Sequence, residues 1–313
     1  MPAAPVKMIA IDVDGTLLGP DGQVSPRNCA ALKAAQAAGI QIVIATGRRH
    51  IYALKVLGSI GLAPSTVLVS SNGAVVRQMD STLIERTLMP LDSALWLCGL
   101  LDEFRNALVI TFDKVDANGE EQRGALVIEE IEISHRSIDR WMLANEPYIA
   151  QVCPIEDSLR GDPPIQMMVT GSVERMRRAE ALMSAHSGVR AVGDPRPGGI
   201  ISLNRTEYPE RDLSIVDILP IGCAKGAALA RLAAAAGIDR MEIMAIGDNW
   251  NDLSMLELAG HPVLMGNAPE DLHIQARARG WTVTATHHQD GVAEVIESIL
   301  RTHFASQGLL VSA

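Results

Sequence analysis

Met8-Ile9-Ala10-Ile11-Asp12-Val13-Asp14-Gly15-Thr16-Leu17 is an apolar, β-branched run that ends on two carboxylates and a glycine. Such a run reads as a buried parallel strand, with Gly15 permitting a sharp turn and both carboxylates facing one small space. Two further apolar runs end in the same manner. Ile40 to Ile44 feeds Ala45-Thr46-Gly47-Arg48, and Ile243 to Ile246 feeds Gly247-Asp248-Asn249-Trp250-Asn251-Asp252. Lys225-Gly226 opens an Ala-rich helical stretch between them in the chain. Ligands of open α/β sheets bind beyond the carboxyl ends of the strands, so these strand ends should meet at one crevice.

An isolated Asp-x-Asp-Gly is a turn sequence in its own right. A calcium loop is the other reading, and it fails: Thr16-Leu17 lacks the next acidic ligand and the required glycine, and the segment follows a strand rather than a helix. Trp250 disqualifies the Asp248 to Asp252 segment in the same way. What remains is a pair of acidic sites joined by the sheet. A cluster of Asp12, Asp14, Asp248 and Asp252 would repel itself and any phosphate without a cation, and few, all-oxygen ligands favour Mg²⁺ over zinc or calcium. Thr46 can donate its hydroxyl to a phosphoryl oxygen, and Lys225 adds a positive charge at a helix N-terminus.

Composition sets outer bounds. The 313 residues are 48% hydrophobic and 20% charged, enough for a large core and two domains. A formal net charge of −10 opposes nucleic acid and anionic membrane surfaces, so neither is expected as a partner. Phosphate must therefore be attracted locally, and a small phosphorylated molecule is the expected partner. Aromatic residues make up 3%, which leaves few stacking platforms for bases. Cys29, Cys98, Cys153 and Cys223 are widely spaced and read as free thiols of a cytoplasmic protein, with no leader and no membrane span expected. His287-His288 lacks the spacing of a helical zinc motif.

Residues 8 to about 84 read as alternating strand and helix, with Ser25-Pro26 as a helix start and Gly39 as its stop. Val67 to Val69 is a strand feeding Ser71-Asn72-Gly73. From about Glu85 the texture changes. It gives a helix over Leu91 to Phe104, a hairpin over Leu108 to Ile128 turning at Asn118-Gly119, a loop from Pro154 to Pro164, a strand at Gln166 to Thr170, a helix at Val173 to Ala185, and strands near Val189 and Ile201. Alternation resumes with a helix over Lys225 to Ala236, strands at Met241 to Ile246 and Val263 to Met265, and a last helix near Val292 to Leu300. The chain after Arg301 reads as loosely ordered. The expected fold class is α/β: a Rossmann-like, doubly wound, mostly parallel sheet from residues 1–84 and 214–313, interrupted by an α+β insertion over 85–213.

The ordered set of motifs resembles the haloacid dehalogenase superfamily. The forms Ala45 to Arg48, Ser71 to Ala74, Lys225-Gly226, Gly247 to Asp252, Met265 to Ala268 and Asp290 to Ala293 look like its Cof-type phosphatases, and the insertion matches the α+β cap of subclass IIB. Cys223-Ala224, where a small polar residue usually precedes the lysine, and apparent extra length at Asn204 to Asp212 depart from the pattern. The resemblance implies Asp12 as a nucleophile forming an aspartyl-phosphate and Asp14 as acid and base. It implies Mg²⁺ held by Asp12, the Asp14 carbonyl and Asp248, with Asp252 as an outer ligand or orienter, and phosphoryl oxygens held by Thr46, Lys225 and Asn251. Arg48, Asn72 and Gly73 are candidate leaving-group contacts. The implied activity is a Mg²⁺-dependent phosphatase for sugar phosphates or phosphorylated cofactors; a phosphomutase of the same superfamily and a non-catalytic phosphate-binding protein are the alternatives.

Overall fold

The computed structural model describes residues 5–116, 118–131, 136–191, 198–208 and 211–306. The first part of the chain forms β1 (Met8–Asp12), α1 (Pro26–Ala37), β2 (Gln41–Ala45), α2 (His50–Leu57), β3 (Val67–Ser70), β4 (Val75–Gln78) and β5 (Leu83–Arg86). There follow α3 (Leu91–Leu100), β6 (Leu108–Thr111), β7 (Leu126–Ile128), α4 (Arg136–Asn145), β8 (Ile149–Gln151), β9 (Gln166–Gly171), α5 (Val173–Ser184), β10 (Val189–Ala191), β11 (Ile201–Tyr208) and β12 (Leu213–Pro220). The last part forms α6 (Lys225–Ala236), β13 (Ile243–Gly247), α7 (Leu253–Leu258), β14 (His261–Leu264), α8 (Glu270–Arg279), β15 (Thr282–Val283) and α9 (Gly291–Ser306). One unit runs to Ile84 and resumes at Lys225; the other is Glu85–Ala224.

The discontinuous unit is built on an eight-stranded sheet in the order β15-β14-β13-β1-β2-β3-β4-β5, parallel from β15 to β3. Successive side chains of a strand point to opposite faces. Ile9 and Ile11 of β1 accordingly pack with Leu32 of α1, Leu57 of α2 and Ile296 of α9. Met8 and Ala10 pack on the other side, with Leu229 of α6, Leu256 of α7 and Leu272 of α8. Helices thus cover both faces, and the sheet is the doubly wound α/β fold. From β1 the chain steps outward through β2 and β3, while β13, β14 and β15 step the opposite way. The switch point lies between β1 and β13, and their carboxyl ends carry Asp12 and Gly247-Asp248.

The second unit holds a seven-stranded mixed sheet, β10-β11-β12-β9-β6-β7-β8. α3 and α5 cover one face through Leu97, Met176 and Met183, packed on Met167, Val169 and Ile218. Trp141 and Met142 of α4 pack on the other face, over Val109, Leu126 and Ile149. β6 and β7 pair antiparallel, and Asn118-Gly119 sits in the turn between them, held by Asp116.

Several boundaries differ from the sequence reading. Residues 214–220, assigned above to the core, belong to β12, which pairs with β9 and β11 inside the insertion's sheet, so this unit extends to Ala224. Of Asn204 to Asp212, which looked like extra length, Asn204 to Tyr208 is strand paired residue for residue with Leu213 to Asp217, and residues 209–210 lie outside the described residues. α9 continues through Ser306, past the expected end at Leu300; residues 307–313 lie outside the described residues. α4, β8 and α8 were not expected at all. No helix among the described residues is long and apolar enough to cross a membrane.

Candidate active site

Asp12 closes β1 and is almost fully buried. Lys225, first residue of α6, reaches it with Nζ 2.5 Å from Asp12 Oδ1 and 2.7 Å from Asp252 Oδ1. The lysine side chain is 0% exposed. A lysine is buried in this way only when its charge is paired, and here two carboxylates share it. The second oxygen of Asp252 accepts the backbone N–H groups of Asp248 and Asn249, at 2.9 and 3.1 Å. Both Asp252 oxygens are therefore engaged in shaping the turn after β13 and fixing the lysine. Asp248 Oδ1 accepts from Thr16 Oγ1 at 3.1 Å.

Oxygen atoms of Asp12, Asp248 and Asp252 all lie within 4.8 Å of one another. Burial and the neighbouring Asp252 push the Asp12 carboxyl up to about 7, against the pull of Lys225. Asp248 is raised well above the carboxylate range by burial and by Asp12 and Asp252. For Lys225, burial opposes the charge, but Asp12 and Asp252 together outweigh it and raise its pKa. Three carboxylates against one ammonium leave a buried negative excess, which a cation would relieve. The donors are all hard oxygens, which suits a small hard cation.

The turn after β1 leaves room for that arrangement because residue 15 has no side chain. Gly15 has φ +81°, and a Cβ there would lie 2.3 Å from Asp248 Oδ2. Gly15→Ala is thus expected to force Asp248 aside and strain the backbone. Divalent-metal titration of activity should show the midpoint shifted upward at least tenfold, with any residual turnover small; an unchanged midpoint would mean that Asp248 can move without consequence.

Asp14 points elsewhere. Arg48 Nε and Nη2 bind its two carboxylate oxygens at 2.7 and 2.6 Å, so its side chain is not among the three clustered carboxylates. Arg48 also lies over the Tyr52 ring, 4.9 Å from its centroid. Thr46 is fully buried, and its Oγ1 accepts the Arg48 N–H at 3.1 Å, which leaves the hydroxyl proton to donate. The loops after β2 and β3 are joined by backbone bonds from Asn72 N to Thr46 O at 3.0 Å and from Ser71 N to Arg48 O at 2.9 Å. Asn72 and Gly73 are buried there, at φ +51° and +97°. Asn251 is half-buried on the Trp250–Asp252 turn.

Two further residues belong to the site. Thr16 stood in the first motif without a role, and Asn267 stood only within Met265 to Ala268. Asn267 Nδ2 donates to Gly15 O at 2.8 Å and lies 3.4 Å from Asp248 Oδ2. Sequence offered two signals, neither of which gave it a role: Asn267 lies in the Met265 to Ala268 motif, and it follows another parallel strand, β14, at the same edge of the sheet.

Residues 9–296 match the family of haloacid dehalogenase-like hydrolases, and the chain belongs to that family. Among its relatives, the 5-amino-6-(5-phospho-D-ribitylamino)uracil phosphatase YwtE of Bacillus subtilis is 28% identical over 96% of this chain and all of its own length. Phosphatase YwpJ of the same organism is 30% identical over 94% of this chain and all of its own. A solved haloacid dehalogenase-like hydrolase from B. subtilis superposes with a TM-score of 0.70 at 25% identity, over 93% of this chain and 99% of that one. The chain is accordingly an enzyme of the phosphoric monoester hydrolase type.

Proposed function

We propose that this protein is a Mg²⁺-dependent phosphatase that hydrolyses small phosphorylated metabolites, sugar phosphates or phosphorylated cofactors, through a phosphoryl group carried on Asp12. The observation that carries the reading is the buried Lys225 shared by Asp12 and Asp252, with Asp248 in reach of both carboxylates. Burying so many charges is costly for a fold and useful for phosphoryl transfer.

In the first step a carboxylate oxygen of Asp12 forms a bond to phosphorus as the bond from phosphorus to the leaving oxygen breaks. Asp14 gives its proton to that leaving oxygen. In the second step Asp14 takes a proton from water, the water oxygen bonds to phosphorus, and the bond to Asp12 breaks to release inorganic phosphate. The ammonium of Lys225 and the hydroxyl of Thr46 hold phosphoryl oxygens, with Asn251 as a third donor. Asp252 keeps Lys225 in place rather than binding phosphate. The Arg48 clamp on Asp14 must open for Asp14 to carry a proton, and the incoming anion is a natural alternative partner for the guanidinium. Asp12, the Asp14 carbonyl and Asp248 would hold Mg²⁺, which would neutralise charge gathering on the phosphoryl oxygens.

All these groups lie in the unit that ends at Ile84 and resumes at Lys225. We assign selection of the leaving group to Glu85–Ala224, the cap of this reading, which contributes none of them. The phosphorylated ribitylamino compound in the name of YwtE marks the kind of polar, hydroxyl-bearing leaving group to test first.

The reading is tested by phosphate release across a panel of phosphorylated sugars and cofactors, with and without Mg²⁺. It expects turnover of one or a few of them, abolished by chelation; metal-independent turnover would overturn it. Asp248→Ala should raise the Mg²⁺ concentration for half-maximal activity at least tenfold while leaving the metal-free protein folded, because one of several crowded carboxylates is gone. Equal half-saturation in variant and wild type would remove Asp248 from the metal site.

A further inference from the structure

The turn that bears Asp12 and Asp14 is tied to the C-terminal segment by two asparagine side chains used in the same way. Asn267 Nδ2 donates to Gly15 O at 2.8 Å, and its Oδ1 accepts the His287 N–H at 2.9 Å. Asn28, on α1 and buried, has Nδ2 3.4 Å from Leu17 O, and its Oδ1 accepts the Ala293 N–H at 2.9 Å. Each amide therefore links a carbonyl of residues 13–17 to a backbone N–H of residues 287–293. The orientation of both amides is set by their partners, since carbonyls face the NH₂ ends and N–H groups face the oxygens. Neither residue carries charge, and neither reaches Asp12.

Asn267 does more than Asn28. Its NH₂ group also faces Asp248 Oδ2 at 3.4 Å, while Thr16 holds the other oxygen of the same carboxylate. Asp248 is thus approached from both sides by neutral donors that belong to the loops after β1 and after β14. Carboxylates that bind metals depend on such outer hydrogen bonds for their orientation, and losing one commonly costs 10–100-fold in metal affinity.

We infer that Asn267 is a positioning residue for the metal end of the site: its amide fixes Asp248 and the Gly15 carbonyl against the segment at His287, so that the acidic groups stand ready for a cation. Asn28 is the second point of the same brace. The inference rests on the metal reading given above. It also supplies a physical reason for the Met265 to Ala268 and Asp290 to Ala293 motifs, which hold no reacting group yet accompany the catalytic ones.

The test uses Mn²⁺, a spectroscopic substitute that takes the same oxygen ligands, and reads the free ion by electron paramagnetic resonance in the full-length, metal-free protein. Wild type should bind one Mn²⁺; if it binds none, the metal reading fails and Asn267 is not the cause. Asn267→Ala should weaken Mn²⁺ binding about 10-fold or more. Asn267→Ser, which keeps a polar group near the His287 amide, should weaken it less. Thermal unfolding without metal separates positioning from a general loss of fold. A dissociation constant within twofold of wild type in folded Asn267→Ala would overturn the inference, and so would failure of both variants to fold, which would make Asn267 a folding residue instead.

Discussion

Asp12→Asn is expected to abolish turnover, by at least about a thousandfold, while the protein keeps its fold. The amide is nearly isosteric with the carboxylate but is too weak a nucleophile to attack phosphorus, and a nucleophile removed from a site that acts as a unit takes most of the acceleration with it. Folding should survive. The change removes one of three crowded buried carboxylates, and the side-chain oxygen can still accept from Lys225 at the 2.5 Å contact. Steady-state phosphate release and a thermal melt on the same preparation check both halves. Activity within tenfold of wild type would show that Asp12 does not attack.

Lys225→Met is expected to lower activity about 10²–10³-fold and to destabilise the metal-free protein. Methionine keeps the length of the lysine stem in a fully buried channel but leaves Asp12 and Asp252 without their shared cation. Removing one partner of a buried ion pair costs about 3–5 kcal/mol, and proton uptake by Asp12 offsets part of this. The pH dependence follows from that proton. With its carboxyl pushed up to about 7 from an unfolded value near 3.8, Asp12 contributes stability that is complete below 3.8 and is lost as pH rises through 7. The variant should raise this carboxyl further, so its stability deficit without metal is small in acid and grows towards neutral pH. Chemical denaturation across pH, with a divalent metal added in a parallel series, measures it. A deficit equal at all pH values and unaffected by metal would show that the lysine acts through packing alone.

The core was legible because its strands obey a simple rule. Runs such as Met8 to Ile11 and Ile243 to Ile246 are buried on both faces, so they stay apolar throughout and stop abruptly at the carboxylate or glycine that begins the site. Ser25-Pro26 marked the start of α1, where Ser25 Oγ accepts the Asn28 N–H at 3.0 Å. The insertion offered weaker signals. β11 carries Asn204, Arg205, Thr206 and Glu207, a polar texture with no strand signal of its own; pairing with β12 makes it strand, with ion pairs of Arg205 and Glu207 to α5 side chains. α8 follows Pro269 but buries only Leu272 and Ala276 among its ten residues, too narrow a stripe to show as periodicity.

The site was legible where a residue carries its chemistry in its own side chain. Asp12, Asp248 and Asp252 could be named from strand ends and Lys225 from the helix start between them in the chain, and they come together at the β1/β13 switch point. Asn267, Thr16 and the grip of Arg48 on Asp14 could not be placed, because each depends on which atom of a distant turn faces it. Asn267 is 252 residues from Gly15, and Arg48 is 34 from Asp14. No local pattern encodes such a contact.

The most direct test of a phosphoryl group carried on Asp12 is to mix the enzyme with a turned-over substrate and Mg²⁺, quench in acid within the first turnover, and map phosphorylated peptides by mass spectrometry. A phosphoryl adduct, labile to base, is expected on the peptide containing Asp12 and absent from Asp12→Asn. A burst of inorganic phosphate with no adduct on that peptide, or an adduct on another residue, would contradict it.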